Sequence, residues 1–260
     1  MAHKTLINGT SYDIKSGRTL IGGTGYDIKK GRTLIDGTEY DIKFGVPVGE
    51  LAVGTSVYMN VGGVRKEFII VHQGNPNPAI YDASCNGTWL MIKDIYDTSE
   101  SGFTTTTSFD QQYSTSKAFQ HLNETVLQAF EPSIQKDIRQ VNIPVYTSNV
   151  SNLTAKIFHL SCKEIGYSGY SPLEGAKLDY FENTNYGEDA SATRIAYYEG
   201  SASAWELRSM YWTNNTRNPF IVKNDGTIYK AAHVLQWKNR FALIMAVTQL
   251  VDSDFNIIPS

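Results

Sequence analysis

The sequence predicts an α+β domain with two helices and many short strands, preceded by a stalk of β-hairpin repeats. Three observations lead to this prediction. A 14-residue period fills the start of the chain, two apolar stripes of helical spacing follow, and the C-terminal half alternates short apolar strands with turns. With 260 residues, of which 41% are hydrophobic, the chain can form one sizeable domain and an appendage. We therefore divide it into residues 1–45 and residues 46–260.

The N-terminal repeat is the most regular feature of the sequence. Three consecutive units read KTLINGTSYDIKSG, RTLIGGTGYDIKKG and RTLIDGTEYDIKFG. Each unit places Asn-Gly, Gly-Gly or Asp-Gly between a Thr-Leu-Ile strand and a Tyr-Asp-Ile-Lys strand. These dipeptides tolerate the positive φ angles of a type I′ turn, so each unit is predicted to be a two-stranded hairpin.

Isolated hairpins bury little apolar surface, so the leucines and isoleucines of the repeats need a packing partner. The hairpins could stack along the chain, wind around identical chains, or form a six-stranded meander on the globular domain. We expect the repeats to attach the chain to other proteins of an assembly and to support a homo-oligomer, with a trimer favoured.

Two helices are predicted in the middle of the chain. The first begins near a Ser-Thr-Ser cap at residues 114–116, and its apolar stripe is Phe119, Leu122, Val126 and Phe130. The second begins at Pro132, ends at residues 143–144, and carries the stripe Ile134, Ile138 and Val141. Short strands are predicted afterwards, at residues 155–160, 194–198, 220–222, 227–229 and 241–247.

Composition excludes several classes of partner and location. The formal net charge is only -3, which does not favour nucleic acid or an anionic membrane. No apolar run approaches the roughly 18 residues of a membrane span, and the N-terminus has no signal-peptide core. We therefore expect no membrane insertion and synthesis in the cytoplasm. Cys85 and Cys162 form no metal motif, and whether they pair is left open.

The usual catalytic motifs are missing from the sequence. The five histidines follow no metal-ligand spacing, and neither Gly-x-Ser-x-Gly nor a P-loop occurs. Glu188 and Asp189 are interpreted as part of a solvated loop, with a calcium role as the alternative. The sequence therefore predicts a protein that is not an enzyme and that has no metal or cofactor.

An aromatic stretch in the C-terminal half is the main candidate for binding. Residues 205–208 read WELR, and residues 210–218, MYWTNNTRN, combine aromatic, asparagine and arginine side chains. Such a mixture is typical of binding surfaces. We interpret Trp205, Leu207 and Arg208 as core residues with a satisfied charge, and the residues that follow them as a binding surface.

Several blocks of the sequence resemble an uncharacterised domain found in phage and prophage structural proteins of Gram-positive bacteria. They are residues 57–60 (VYMN), 63–74 (GVRKEFIIVHQG), 83–90 (ASCNGTWL), 155–158 (AKIF), 194–197 (RIAY) and 205–209 (WELRS). The Gly-Val-Arg-Pro-Ala-Leu strand of that family has a partial counterpart at residues 238–243 (KNRFAL). The N-terminal repeat also resembles hairpin repeats that precede such domains.

The Trp-x-Leu-Arg and Arg-x-Ala-Leu pair is similar to the C-type-lectin-like fold, shared by phage receptor-binding proteins and formylglycine-generating enzymes. In the binding members the ligand surface lies between those two strands. The resemblance therefore implies a ligand-binding surface formed by Tyr211, Trp212, Asn214, Asn215, Arg217, His233 and Trp237. The cysteine pair of the enzymes and the Glu-Pro-Asn and Trp-Asn-Asp motifs of calcium-dependent lectins have no counterpart here.

These resemblances imply a non-enzymatic virion protein of a tailed phage or phage-like particle. Its C-type-lectin-like domain is expected to bind a host-surface glycan or protein, and its repeats to contact other virion proteins. The alternative is a purely structural head-decoration, baseplate or tail component without a receptor.

Overall fold

A computed structural model describes most of the chain. The described residues are 4–7, 10–13, 17–21, 24–28, 30–35, 38–43, 45–100, 112–146, 150–184, 189–213, 216–231 and 236–260. For residues 4–43, 150, 212–213 and 216–217 the backbone alone is described.

The repeats form three separate two-stranded antiparallel sheets. The paired strands are β1 (Lys4–Ile7) with β2 (Thr10–Asp13), β3 (Gly17–Ile21) with β4 (Thr24–Ile28), and β5 (Lys30–Ile35) with β6 (Thr38–Lys43). The last pair of each ladder encloses two residues, which are the predicted Asn-Gly, Gly-Gly and Asp-Gly dipeptides. Those dipeptides themselves lie outside the described residues.

The rest of the chain contains seventeen described strands and two short α-helices. The strands are β7 (Val46–Pro47), β8 (Ser56–Val61), β9 (Val64–Gly74), β10 (Gly87–Ile92), β11 (Asp97–Glu100), β12 (Val141–Tyr146), β13 (Val150–Ala155), β14 (Ile157–His159), β15 (Ala196–Tyr198), β16 (Ser201–Ser203), β17 (Trp205–Thr213), β18 (Thr216–Val222), β19 (Ile228–Lys230), β20 (Gln236–Asn239), β21 (Phe241–Met245), β22 (Leu250–Val251) and β23 (Ile257–Ile258). The helices are α1 (Lys117–Gln120) and α2 (Pro132–Asp137), and single 3-10 turns lie at Val48–Glu50, Ala83–Cys85, Tyr113–Thr115 and Ala192–Arg194.

A five-stranded antiparallel sheet with the order β14-β21-β10-β9-β8 forms the centre of the domain. All six residues of β10 are buried, because both faces of the sheet are covered. Alternate residues serve two different cores: Leu90 and Leu243 face the helical side, whereas Trp89 and Ile244 pack in the larger core on the other side.

The first predicted helix is present but irregular. The Ser116 hydroxyl accepts a hydrogen bond from the Phe119 amide at 3.1 Å, which caps α1. The helix continues as a π-helix over His121–Val126 and a 3-10 turn over Leu127–Ala129. Leu122 and Val126 are buried in the core, as their spacing predicts. Among the described helices, none combines the length and the apolar character needed to cross a membrane.

The predicted fold class, an α+β domain with two helices, is wrong. Strands make up 44% of the structure and helices 17%, so the fold is mostly β, with many small antiparallel sheets. The second helix is only six residues long and ends at Ile138, whose backbone bridges to Met245 of the central sheet. Val141 then begins strand β12, in which the apolar residues Val141, Ile143 and Val145 lie at every second position and are all buried.

Candidate binding site

The sheet β17-β18-β19 carries the predicted binding segment and has two different faces. Its register aligns Trp205, Val222 and Ile228 across the three strands, and all three are buried in the larger core. The adjacent row of the register is Glu206, Ile221 and Tyr229. Because neighbouring residues of a strand point to opposite faces, this second row lies on the face turned away from the core.

We call this second surface the outer face and define it by Glu206, Ile221, Lys223, Tyr229 and Lys238. Tyr229 is 54% exposed, and the Lys223 ammonium lies 4.7 Å from the centroid of its ring. At the other end of the row, the Lys238 amide donates a hydrogen bond to Glu206 Oε2. Cation–π contacts such as the one at Tyr229 contribute about 0.5–1 kcal/mol at exposed sites.

Lys238 also contacts a tyrosine, so each end of the outer face carries a lysine beside an aromatic ring. The Lys238 ammonium donates a hydrogen bond to the Ser203 hydroxyl and lies 5.6 Å from the centroid of the Tyr198 ring. Both lysines remain partly exposed. The outer face therefore presents an exposed aromatic ring and the cationic group of Lys223 on a sheet that the core supports, and β20 adds the cationic group of Lys238.

Glu206 is the acidic group of the outer face, and it is only 6% exposed. Burial raises the pKa of its carboxyl to about 8, although the Lys238 amide and ammonium oppose this shift. The carboxyl is therefore mostly protonated and uncharged at pH 7. As a result, Glu206 leaves most of the positive charge of Lys238 uncompensated.

The residues predicted to form the ligand-binding surface do not all lie on one face in the structure. Tyr211 is half-buried on the opposite face, where its ring centroid lies 5.3 Å from that of Phe220 and its hydroxyl donates a hydrogen bond to the Ala231 carbonyl. Trp212 and Arg217 pair with each other in the backbone register of β17 and β18. Asn214, Asn215 and His233 lie outside the described residues.

Trp237 requires a correction, because it is fully buried and is not part of an exposed surface. Its ring packs against His159 at 4.9 Å and against Tyr113 at 5.9 Å between centroids. Alternation along β20 places Trp237 in the core and leaves Lys238 at the margin.

Sequence reasoning missed Tyr229, Lys223 and Lys238 as members of one surface. The two strands of the hairpin were predicted at residues 220–222 and 227–229, and the chain between them contains Asn224-Asp225-Gly226. Because side chains alternate between the two faces of a strand, burial of Val222 and Ile228 would have placed Ile221 and Tyr229 on the face turned away from the core. The position of Lys238 beside Glu206 depends on a tertiary contact that no local pattern contains.

The residues predicted to form the core of this segment are confirmed there. Trp205, Leu207 and Arg208 are all fully buried. The Arg208 guanidinium binds both carboxylate oxygens of Glu164, at 2.6 and 2.7 Å, so its charge is satisfied by a bidentate pair. A second buried carboxylate, Glu174, lies 3.9 Å from Arg208 Nε.

Neither cysteine is part of a disulfide, and both thiols are buried. Burial raises the pKa of Cys85 to about 12 and raises that of Cys162 well above its ordinary value. Thiols of this kind are poorly reactive. Within the described ranges, no three His, Cys, Asp or Glu side chains come together as a metal site. Glu188, one of the two acids considered for calcium, lies outside those ranges.

We expect the free energy of unfolding to fall as the pH rises from 6.5 to 8. Burial raises the pKa of Glu174 to about 7 and that of Glu206 to about 8, whereas an unfolded glutamate titrates near pH 4.3. The native state therefore binds more protons than the unfolded state in this interval. The stability that this difference contributes is complete below the pKa of the unfolded glutamate and is lost as the pH rises through the pKa of the folded one. Together the two groups should remove roughly 2 kcal/mol over this interval.

Urea unfolding at pH 6.5 and at pH 8 would measure this change. The matched variant is Glu206→Gln, which should lose more than half of the pH dependence because the amide does not ionise. The interval begins at pH 6.5 because His159, whose pKa burial lowers to about 3, has the opposite effect at lower pH. Stability that increases between pH 6.5 and 8 would contradict the buried, protonated state of these carboxyls.

One protein family matches the domain that contains this face. The family model described as "Domain of unknown function (DUF6273)" matches residues 86–246, which include β10 and β17 to β21. No curated protein and no solved structure gives a significant match. Because the matched residues make up more than half of the chain, the chain belongs to the DUF6273 family.

Proposed function

We propose that the chain is a non-enzymatic virion protein of a tailed phage or phage-like particle, and that its outer face binds a molecule of the host surface. The observation that carries this proposal is the outer face itself. Tyr229 is exposed on a sheet whose other face is packed in the core, Lys223 lies beside its ring, and Lys238 of the separate strand β20 lies beside Glu206.

A rigid sheet favours binding, because its residues lose little conformational freedom when a ligand arrives. Trp205, Val222 and Ile228 anchor the three strands in the core directly behind the outer face. Tyrosine has few rotatable bonds and a large contact area, which makes it a frequent source of binding energy.

The repeats and the sequence resemblance support the location on a particle. Three hairpins in series extend the chain before the domain begins and offer strands to neighbouring copies or other virion proteins. Residues 63–74 resemble a block of phage structural proteins. We therefore assign attachment and oligomerisation to the repeats and ligand contact to the domain.

Adsorption of particles to host cells tests this function. The variant Tyr229→Ala should bind about thirtyfold more weakly, because hot-spot aromatic residues contribute about 2 kcal/mol or more. Trp212→Ala and Arg217→Ala probe the adjacent hairpin of the predicted surface and should also weaken adsorption.

The matched control is Phe255→Ala, since Phe255 is 41% exposed beside β8, at an edge of the central sheet. It should adsorb like the unaltered particle. All variants must assemble normally before they are compared. Normal adsorption by Tyr229→Ala, Trp212→Ala and Arg217→Ala would favour the purely structural alternative, a decoration, baseplate or tail protein.

A further inference from the structure

We propose that the ligand of the outer face is an anionic saccharide, with a sugar ring on Tyr229 and a carboxylate or phosphate group held by Lys223 and Lys238. This inference rests on the proposed function, which it extends by naming the chemical class of the ligand.

Tyr229 supplies the contact for the sugar ring. Its side chain is 54% exposed on a strand whose preceding residue, Ile228, is buried. The apolar C–H groups of a pyranose fit the face of an aromatic ring, and the phenol hydroxyl can hydrogen-bond to the sugar hydroxyls. Lys223 contacts the same ring, so an anionic substituent on the stacked sugar would meet its ammonium group.

The row between the two ends of the outer face is long enough to contact an oligosaccharide. Glu206, Ile221 and Tyr229 lie on three adjacent strands, and adjacent strands are about 4.8 Å apart, so the row spans about 10 Å. Lys238 lies beside the Glu206 end and Lys223 beside the Tyr229 end. A polymer with a charged group on each unit could therefore contact both lysines at once.

The charge of the outer face differs in sign from that of the whole chain. The chain has a net charge of -3, whereas the outer face has two ammonium groups and a buried carboxyl whose pKa of about 8 keeps it largely protonated at pH 7. The nearby Asp225 carboxylate, whose Oδ1 accepts hydrogen bonds from the amide and the hydroxyl of Thr227, compensates part of the charge of Lys223, but the two ammonium groups outweigh this one carboxylate. Charge complementarity therefore favours an anion over a neutral sugar.

Binding of the full-length chain to four immobilised polymers tests the inference. They are dextran, carboxymethyl-dextran, phosphorylated dextran and poly-glutamate, which separate the neutral sugar, two anionic forms of the same sugar, and an anion without sugar. We expect one or both anionic dextrans to bind about tenfold more tightly than dextran and poly-glutamate. Added salt should weaken that binding.

The double variant Lys223→Gln/Lys238→Gln should bind the anionic dextrans about tenfold more weakly, since it removes both cationic groups that the anionic substituents would contact. The matched control is Lys136→Gln/Lys163→Gln, which removes the same charge elsewhere and should bind normally. Equal binding to dextran would overturn the anionic part of the inference, and equal binding to poly-glutamate would overturn the saccharide part. Absence of binding to all four polymers would overturn both.

The failure of this inference can be distinguished from the failure of the proposed function. If Tyr229→Ala abolishes cell adsorption while the polymers show no preference, the outer face binds a host molecule of another class. If Tyr229→Ala, Trp212→Ala and Arg217→Ala all adsorb normally, the receptor function itself is wrong.

Discussion

The variant Arg208→Met is expected to lower the free energy of unfolding by about 3–5 kcal/mol, because it leaves buried carboxylates without their cation. Glu164, which forms the bidentate pair, and Glu174 are both almost completely buried. The guanidinium also donates hydrogen bonds to the carbonyl oxygens of Pro144, His159 and Glu174. Arg208 thus joins β12, β14, β17 and the irregular segment at residues 160–184.

Denaturant titration would measure this loss, and Arg65→Met supplies the control. Arg65 also forms side-chain hydrogen bonds, to Asn256 and Asp254, but they are exposed to solvent. Its replacement should cost less than about 0.5 kcal/mol. The double variant Arg208→Met/Glu164→Gln should recover part of the stability, because it removes one of the two buried carboxylates that Arg208→Met leaves without a cation. Equal effects of Arg208→Met and Arg65→Met would show that the pair is not buried in solution.

The variant Trp205→Ala is expected to destabilise the domain by about 3–5 kcal/mol, the usual cost of removing a fully buried tryptophan. The indole Nε1 donates a hydrogen bond to the Arg194 carbonyl at 2.9 Å, and the Arg240 guanidinium lies 4.9 Å from the ring centroid. Truncation therefore leaves a cavity and also removes the aromatic ring that the buried Arg240 guanidinium contacts.

The free energy of unfolding of Trp205→Ala, measured by thermal or denaturant unfolding, is compared with that of Tyr229→Ala. Tyr229 lies on the outer face of the same sheet and is mostly exposed, so its replacement should change stability by less than about 1 kcal/mol. If Tyr229→Ala proved the more destabilising of the two, the assignment of the inner and outer faces of β17-β18-β19 would be reversed.

Local patterns in the sequence predicted the local elements well. The two-residue turns of the repeat predicted the paired strands β1 to β6, and the apolar stripe predicted Leu122 and Val126 as core residues. Trp205 and Arg208 were also predicted in the core. The hairpin and helix predictions depend only on turn chemistry and on apolar spacings of three and four residues.

The fold class failed because it depended on contacts between distant residues. Ile134 and Ile138 have helical spacing, but the chain leaves the helix at Ile138, where hydrogen bonds to the central sheet become available. The spacing of apolar residues alone does not show whether a short apolar segment will continue as a helix or pair with a sheet.

The candidate site was only partly predictable for the same reason. Trp237 belongs to a strand whose partner, β11, lies more than a hundred residues earlier in the chain, so its burial could not be deduced locally. Glu164 and Glu174, which neutralise Arg208, come from a stretch without strands or helices that looks like solvated loop in the sequence.

The two-sided packing of the central sheet constrains how this protein can change. Trp89 and Leu90 are neighbours in β10 but belong to different cores, and opposite them β9 contains one extra residue, Val71, between the partners Ile70 and His72. If the register of β10 shifted by one residue, the side chains that now pack in one core would point into the other. Neither core has the shape to accept the side chains of the other. Insertions and deletions within β9 and β10 should therefore prevent folding, whereas those in the connections should be tolerated. Length variation among related proteins should accordingly concentrate in the segments between strands.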